Sequence, residues 1–349
     1  MGNEISVVVV DDSAFIRMLL TQILDSDDEI KVVATAEDPF DAREKIKKYS
    51  PDVITLDIEM PKMDGITFLK NLMRLRPMPV IMVSTLTQAG ANITLQALEA
   101  GAFDFVAKPT AEVKEKLQEV ASELIEKVKA AARCNTSALD KEQPAQDEKL
   151  KLGKSNNKVD LIAIGASTGG TEAIQSVIKR LPTNLPPIVM TQHIPDVFST
   201  SYAKRLDGEV KMNVMEVRSP QKLEPGWGYL APGHMHMKIK RKNGSLWAYL
   251  NDDEPVNRHK PAVDVLFDSV AETVGQKSIG VLLTGMGQDG AKGLLGLKEA
   301  GALTIAQDEQ SSVVWGMPGA AVKMDAARKV LSLNAIPPFL VKALSAIST

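Results

Sequence analysis

Apolar and polar positions along the first part of the chain fall into blocks of two kinds. Ile5–Val10 is a β-branched run that stops at Asp11-Asp12, and Ala14–Leu24 then repeats at helical spacing. The same alternation predicts strands at Val32–Ala36, Asp52–Leu56, Pro79–Val83 and Phe103–Ala107. Helices are predicted at Asp41–Tyr49, Ile66–Leu75, Thr94–Ala100 and Val113–Ala132. Alternating β/α units of this kind predict a doubly wound parallel sheet.

From Cys134 to Lys158 the apolar positions nearly vanish, and the chain is polar, mixed in charge and aperiodic. This predicts a flexible linker at 134–157 between a first domain, 1–133, and a second, 158–349. The second domain opens with a buried strand at Leu161–Ile164 and a helix at Thr171–Leu181, for which Thr171 is the expected N-cap. A second strand, Ile188–His193, and a helix at 196–206 follow. Strands are then predicted at Gly228–Ala231, Met235–Arg241 and Leu246–Asn251. The turn Lys242-Asn243-Gly244-Ser245 reads as a hairpin, which makes this part an antiparallel excursion from the main sheet. A helix at Ala262–Val274, a buried strand at Ser278–Leu283, a helix at Ala291–Ala300 and a strand at Thr304–Ala306 restore the α/β pattern. Helices near Ala320–Lys323 and Pro338–Ala346 close the chain.

At 349 residues the chain is too long for one ordinary core, which agrees with two domains. Its 44% hydrophobic and 24% charged content is that of a globular protein in water. A net charge of -3 argues against nucleic-acid or anionic-membrane binding driven by bulk charge. The single cysteine, Cys134, excludes an intrachain disulfide and favours a reducing compartment. No apolar run reaches the roughly 18 residues of a membrane span. The opening Met1-Gly2-Asn3 has no basic or long apolar segment, so no secretory leader is expected. Its formal myristoylation match, Gly2 with Ser6, leads straight into a strand and is discounted. The expectation is a cytoplasmic protein, and without a coiled-coil or repeat signal, a monomer.

Chemistry-bearing residues collect where the first-domain strands end. Asp11 and Asp12 follow the first strand, Asp57 the third, Ser84 the fourth and Lys108 the fifth, with the Lys108–Pro109 bond a candidate for the cis form. In a parallel sheet all of these share the carboxyl edge, where ligands bind. Three carboxylates together repel unless a hard cation joins them, and an all-oxygen set suits Mg²⁺. N-cap aspartates explain one or two of these positions but not the set with Lys108. The constellation resembles the receiver domain of two-component response regulators, over about residues 3 to 125. The resemblance implies a flavodoxin-like (βα)5 fold, with Asp57 phosphorylated by a histidine kinase. It also implies Mg²⁺ held by Asp12, Asp57 and the Glu59 backbone carbonyl, with Asp11 in support. Ser84 takes the hydroxyl switch position and Phe105 the aromatic one.

In the second domain Gly165-Ala-Ser167-Thr-Gly169 fits G-x-S-x-G between a strand and a helix, a turn that lifts a serine hydroxyl to the sheet edge beside free helix N–H groups. A glycine-rich phosphate cradle fits the same five residues. His193 ends the next strand, and adjacent strand ends lie about 5 Å apart. Asp289 lies in the loop Thr284-Gly-Met-Gly-Gln-Asp-Gly after a later strand. Serine, histidine and aspartate at one sheet edge are what a nucleophile, its base and an orienting carboxylate require. The order Ser, His, Asp is not that of the α/β-hydrolases.

Ile-Gly-Ala-Ser167-Thr-Gly-Gly, Gln-His193, Leu-Thr-Gly-Met-Gly-Gln-Asp289-Gly and His259-Lys-Pro-Ala-Val-Asp-Val-Leu-Phe together resemble the catalytic domain of the chemotaxis protein-glutamate methylesterases. That resemblance implies Ser167 as nucleophile, His193 as general base and then acid, and Asp289 as orienting carboxylate. It implies the Met286 backbone N–H as oxyanion donor, with Thr168 a weaker candidate. It further implies methyl-accepting chemoreceptors as substrate, methanol as product, deamidation of certain receptor glutamines, and no cofactor for the esterase step. The competing reading is a response regulator whose output domain binds a nucleotide or a partner without catalysis. A dinucleotide site wants G-x-G-x-x-G, and this chain has Ser167 at the middle position. No compact basic recognition helix for DNA is found. His234 and His236 alternate on a strand and form a weak zinc pair, for which surface polar positions are expected. His259 is expected to line the cleft, and the basic run Lys238, Lys240, Arg241 and Lys242 to be a solvated face.

Overall fold

The computed structural model describes residues 4–60, 63–85, 87–108, 114–134 and 159–346. The chain divides at about residue 140 into two compact units. The first holds β1 (Ile5–Val10), α1 (Ala14–Leu24), β2 (Ile30–Ala36), α2 (Pro39–Tyr49), β3 (Val53–Asp57), α3 (Gly65–Leu75), β4 (Val80–Ser84), α4 (Gln88–Glu99), β5 (Asp104–Ala107) and α5 (Lys114–Ala132). Its sheet runs β2-β1-β3-β4-β5, all parallel. Helices on both faces explain why Val7, Val8, Val9 and Val10 are all buried, without alternation. Side chains of Ser13, Asp38, Asp64 and Thr87 accept amide hydrogens at the starts of α1 to α4, which sets where each helix begins. The Lys108–Pro109 bond lies outside the described residues.

The second unit is built on a parallel sheet in the order β15-β14-β13-β6-β7-β10-β8. Its strands are β6 (Leu161–Ala166), β7 (Ile188–Gln192), β8 (Asn213–Glu216), β10 (Trp227–Leu230), β13 (Ser278–Leu282), β14 (Leu303–Gln307) and β15 (Lys329–Leu331). A separate antiparallel sheet joins β9 (Gln221–Lys222), β11 (His236–Lys242) and β12 (Ser245–Asn251). The helices are α6 (Gly170–Lys179), α7 (Asp196–Glu209), α8 (Val263–Thr273), α9 (Ala291–Glu299), α10 (Met317–Lys323) and α11 (Ile336–Ala346). α8 and α9 pack together over the sheet, with Val263, Leu266, Phe267, Leu294 and Leu297 in one core.

Three departures from the sequence reading stand out. Gly228–Ala231 is not part of the antiparallel excursion; β10 inserts into the parallel sheet between β7 and β8. β8, β9 and β15 carry little apolar periodicity, because they are short and lie at sheet edges. The N-cap of α6 is Gly169 at φ 73°, not Thr171, and no side chain caps that end. The Asn243-Gly244 hairpin forms where expected, both residues having positive φ.

The order in which strands are added reverses around β6. β7 lies on one side and β13 on the other, so the carboxyl end of β6 is a topological switch point. That is where a parallel sheet opens a crevice.

Candidate functional site

Parallel register brings the first unit's polar residues to one edge. Val10 pairs with Leu56, Asp57 with Val83, and Ser84 with Ala107, so the residues that follow or end these strands are neighbours. Carboxylate oxygens of Asp11, Asp12 and Asp57 lie within 4.8 Å of one another. Lys108 Nζ sits 3.0 Å from Asp11 Oδ2 and 2.9 Å from Asp57 Oδ2. Burial pushes the Asp57 carboxyl up to about 6 against the Lys108 hydrogen bond, and the charge of Asp11 adds to the rise. Burial likewise raises Asp11. The donor set is all oxygen and carries more negative charge than one lysine offsets, which fits a small hard divalent cation. Ser84 is buried and accepts a hydrogen bond from Thr94 Oγ1 at 2.8 Å. Phe105 is buried, with the Lys127 ammonium 5.2 Å from its ring centre. Glu59 is exposed and lines a surface pocket together with Asp12.

In the second unit, β6 ends in a turn that only small residues permit. A Cβ at Gly170 would overlap the Gln192 side chain, and one at Gly165 would overlap Val263. Gly169 takes a left-handed φ, and α6 starts at the next residue. Ser167 is half-buried, and its own amide donates to Thr284 O at 3.0 Å. That bond removes the Ser167 N–H from the donors open to a substrate.

His193 follows β7, whose last residue pairs Gln192 with Ala166, and its amide donates to Ala166 O. Ser167 and His193 therefore occupy equivalent positions on adjacent strand ends. The Gln192 side chain ties them, its amide donating to Ser167 O at 2.9 Å and His193 O at 3.2 Å. The imidazole Nε2 of His193 lies 2.8 Å from Asp289 Oδ2. Nδ1 is buried and bonded to no group among the described residues, so the bond between His193 and Ser167 is not made in this structure. Asp289 is buried and saturated. Its Oδ2 also accepts from Val263 N at 2.6 Å, and its Oδ1 from Asn257 Nδ2 at 2.7 Å and Asp264 N at 3.2 Å. Burial raises the carboxyl, but the hydrogen bond and charge of His193, with the Val263 and Asn257 donors, hold it at about 2.

The loop after β13 closes the site from the other side. A Cβ at Gly285 would lie 2.8 Å from the Ser167 Cβ and would overlap Met317, so this glycine lets the loop lie directly on the serine. Met286 follows and is half-buried. Its amide is engaged by no group among the described residues. Thr168 is buried, and its carbonyl accepts from Thr284 Oγ1.

One histidine expectation is corrected. His236 is not a surface residue. It is fully buried, accepting from Ala262 N at Nδ1 and bonding Glu254 O at Nε2, both at 3.1 Å. His234 is exposed and pairs with Asp196, so the two histidines serve different partners. His259 lies flat on His193, ring centroids 3.7 Å apart and planes 15° from parallel. Asn257, and the contacts made by Gln192 and the Val263 amide, escaped the sequence reading, because hydrogen bonds to residues far along the chain leave no local pattern. Cys134 is half-buried, and burial pushes its thiol up to about 11, unlike a reactive cysteine.

Among the described residues no helix is long and apolar enough to cross a membrane. Residues 162–340 match the CheB methylesterase family, and residues 7–121 match the response regulator receiver domain. The chain is 52% identical over 343 residues to protein-glutamate methylesterase/protein-glutamine glutaminase 2 of Saccharophagus degradans, covering 97% of this chain and 99% of the relative. It is 50% identical over 341 residues to the protein-glutamate methylesterase/protein-glutamine glutaminase of Chromohalobacter salexigens, covering 98% and 96%. The crystal structure of the Thermotoga maritima CheB methylesterase catalytic domain superposes with a TM-score of 0.52 at 38% identity, over 53% of this chain and 98% of that one.

Proposed function

The chain belongs to the CheB methylesterase family, with a response regulator receiver domain ahead of the catalytic one, and from that premise we propose how its residues divide the work. It is a hydrolase of the protein-glutamate methylesterase and protein-glutamine glutaminase type, regulated by phosphorylation in chemotaxis.

Ser167 attacks the γ-carbonyl of a glutamate methyl ester on a chemoreceptor. His193 takes the hydroxyl proton through Nδ1, because Nε2 is committed to Asp289. Asp289 stays ionised, holds the ring and offsets the charge of the imidazolium. The Met286 N–H, with Thr168 second, receives the developing oxyanion. Collapse expels methanol with the proton returned from His193, and water then repeats the cycle on the acyl-enzyme. A glutamine side chain runs the same course with ammonia leaving. The observation that carries this reading is the His193 ring itself. One nitrogen is pinned on a buried carboxylate, and the other is buried without a partner one strand from a serine.

In the receiver, Asp57 accepts a phosphoryl group from a histidine kinase. Mg²⁺, when bound, offsets the charge of that group; Asp11, Asp12, Asp57 and the Glu59 carbonyl are the groups to hold it. Lys108 neutralises the acidic pocket, and Ser84 turns its hydroxyl to the phosphoryl oxygens, with Phe105 following. Phosphorylation relieves inhibition of the catalytic domain. A cytoplasmic monomer, with domains 1–133 and 158–349 joined by the segment 134–157, suits this role.

Methanol release from methyl-labelled chemoreceptor membranes, with and without a small-molecule phosphodonor and Mg²⁺, tests the proposal. Release should rise with the phosphodonor. No release from folded, phosphorylated protein would favour the non-catalytic output domain.

A further inference from the structure

The segment between β12 and α8 touches the hydrolytic set at more points than its length requires. Val256 and His259 exchange backbone hydrogen bonds of 3.1 and 2.9 Å, enclosing Asn257 and Arg258 as a two-residue turn. Both enclosed residues have positive φ, 54° and 67°. Paired positive φ marks a type I′ turn, for which Asn-Gly is the relaxed sequence. Asparagine is at home in the first position, but arginine in the second is strained, so the surroundings must hold the turn. They do so through His236, whose two ring nitrogens bridge Glu254 O and Ala262 N on either side of it.

Each end of this turn meets a different member of the set. The Asn257 amide spends both hydrogens on carboxylates, Asp289 Oδ1 at 2.7 Å and Asp264 Oδ2 at 2.8 Å. It thereby separates two acidic groups that would otherwise repel. His259 lays its ring on the face of His193. A single bond from Nε2 to Asp289 leaves the imidazole free to rock about that bond. A flat ring against its face removes this motion.

Resting on the reading of Ser167, His193 and Asp289 as the hydrolytic set, we propose that the turn 256–259 is a positioning device. Asn257 fixes the Asp289 carboxylate, and His259 fixes the plane of the His193 ring so that Nδ1 faces Ser167. Neither residue touches the reacting atoms. Both act through the groups they hold.

The test uses the full-length protein activated with phosphodonor, comparing Asn257→Ala, His259→Ala and His259→Phe with the parent. Both alanine variants should lower kcat about ten- to hundred-fold, the effect of a slightly misplaced catalytic group, with KM nearly unchanged. His259→Phe keeps a flat ring and should recover most of kcat. ¹⁵N spectra of the His193 ring should show a protonated Nε2 and a bare Nδ1 in the parent and His259→Phe, and mixed tautomers in His259→Ala. The spectra need no turnover, so they separate failure of the positioning role from failure of the hydrolytic reading. His259 is half-buried at the end of a turn whose residues 256–258 are exposed, so its variants test the proposal apart from any folding defect in Asn257→Ala. An unchanged kcat in His259→Ala, a loss confined to KM, or a phenylalanine no better than alanine would each overturn the proposal.

Discussion

Nε2 of His193 and Oδ2 of Asp289 lie 2.8 Å apart, and that contact leaves Nδ1 as the ring nitrogen open to another partner. The carboxylate accepts three further hydrogen bonds, two of them from the backbone amides of Val263 and Asp264. Asp289→Asn would turn an amide N–H₂ toward one of these donors or toward the ring. The ring would then lose its orientation and its tautomer. Hydrolysis should fall roughly 10⁴-fold, as in the serine protease precedent. Steady-state kinetics of the phosphorylated variant check this.

Ser167→Ala removes a hydroxyl from a half-buried position without emptying a core site. Turnover should vanish while stability stays within about 0.5 kcal/mol of the parent. Methanol release and thermal melts measured side by side give the answer, and substantial residual hydrolysis would sink the nucleophile assignment.

Gly285→Ala tests the contact between the β13 loop and the serine. The new methyl must displace Ser167, whose Cβ would be 2.8 Å away, or Met317. Displacement of the nucleophile by even about 1 Å should cost about 10²-fold in kcat. A variant with parental kcat would mean that the loop yields instead.

The Asp57 carboxyl sits at about 6, above its ordinary 3.8. Between those values the folded receiver binds more protons than the unfolded chain, so this group makes stability fall as pH rises through about 4 to 6. Asp57→Asn should therefore stabilise the receiver by about 1–3 kcal/mol at pH 7, with little gain near pH 4. Mg²⁺ should stabilise the parent at pH 7 and the variant much less. Denaturant melts at both pH values, with and without Mg²⁺, read both effects.

Each unit has its own sheet and core, so the catalytic unit can be tested without the receiver. A fragment of residues 158–349 should release methanol faster than the unphosphorylated full chain, and be indifferent to phosphodonor. A fragment no faster than that chain would refute relief of inhibition.

Much of this protein could be read from local pattern. Continuous β-branched runs such as Val7–Val10 marked buried parallel strands, and the residues just past them marked the ligand edge. Gly165-x-Ser167-x-Gly169 declared its turn because a sharp strand-to-helix reversal needs residues without side chains. The strands that escaped, β8, β9 and β15, are two to four residues long and hold one buried residue between them, Val214, so burial imposes no period on them. His236 shows the opposite failure. A histidine in an alternating strand looked like surface, yet it is buried because two backbone groups from a distant loop satisfy both ring nitrogens.

By itself, then, the sequence determined two α/β units, their strand ends, and the serine, histidine and aspartate at one edge. These follow from steric and hydrophobic rules that act over a few residues. Tertiary structure alone decided that β10 joins the parallel sheet, that His193 bonds Asp289 through Nε2 rather than Nδ1, and that Asn257 and His259 reach the site. Those outcomes depend on hydrogen bonds and ring contacts between residues far apart in the chain, and such contacts leave no period in the sequence.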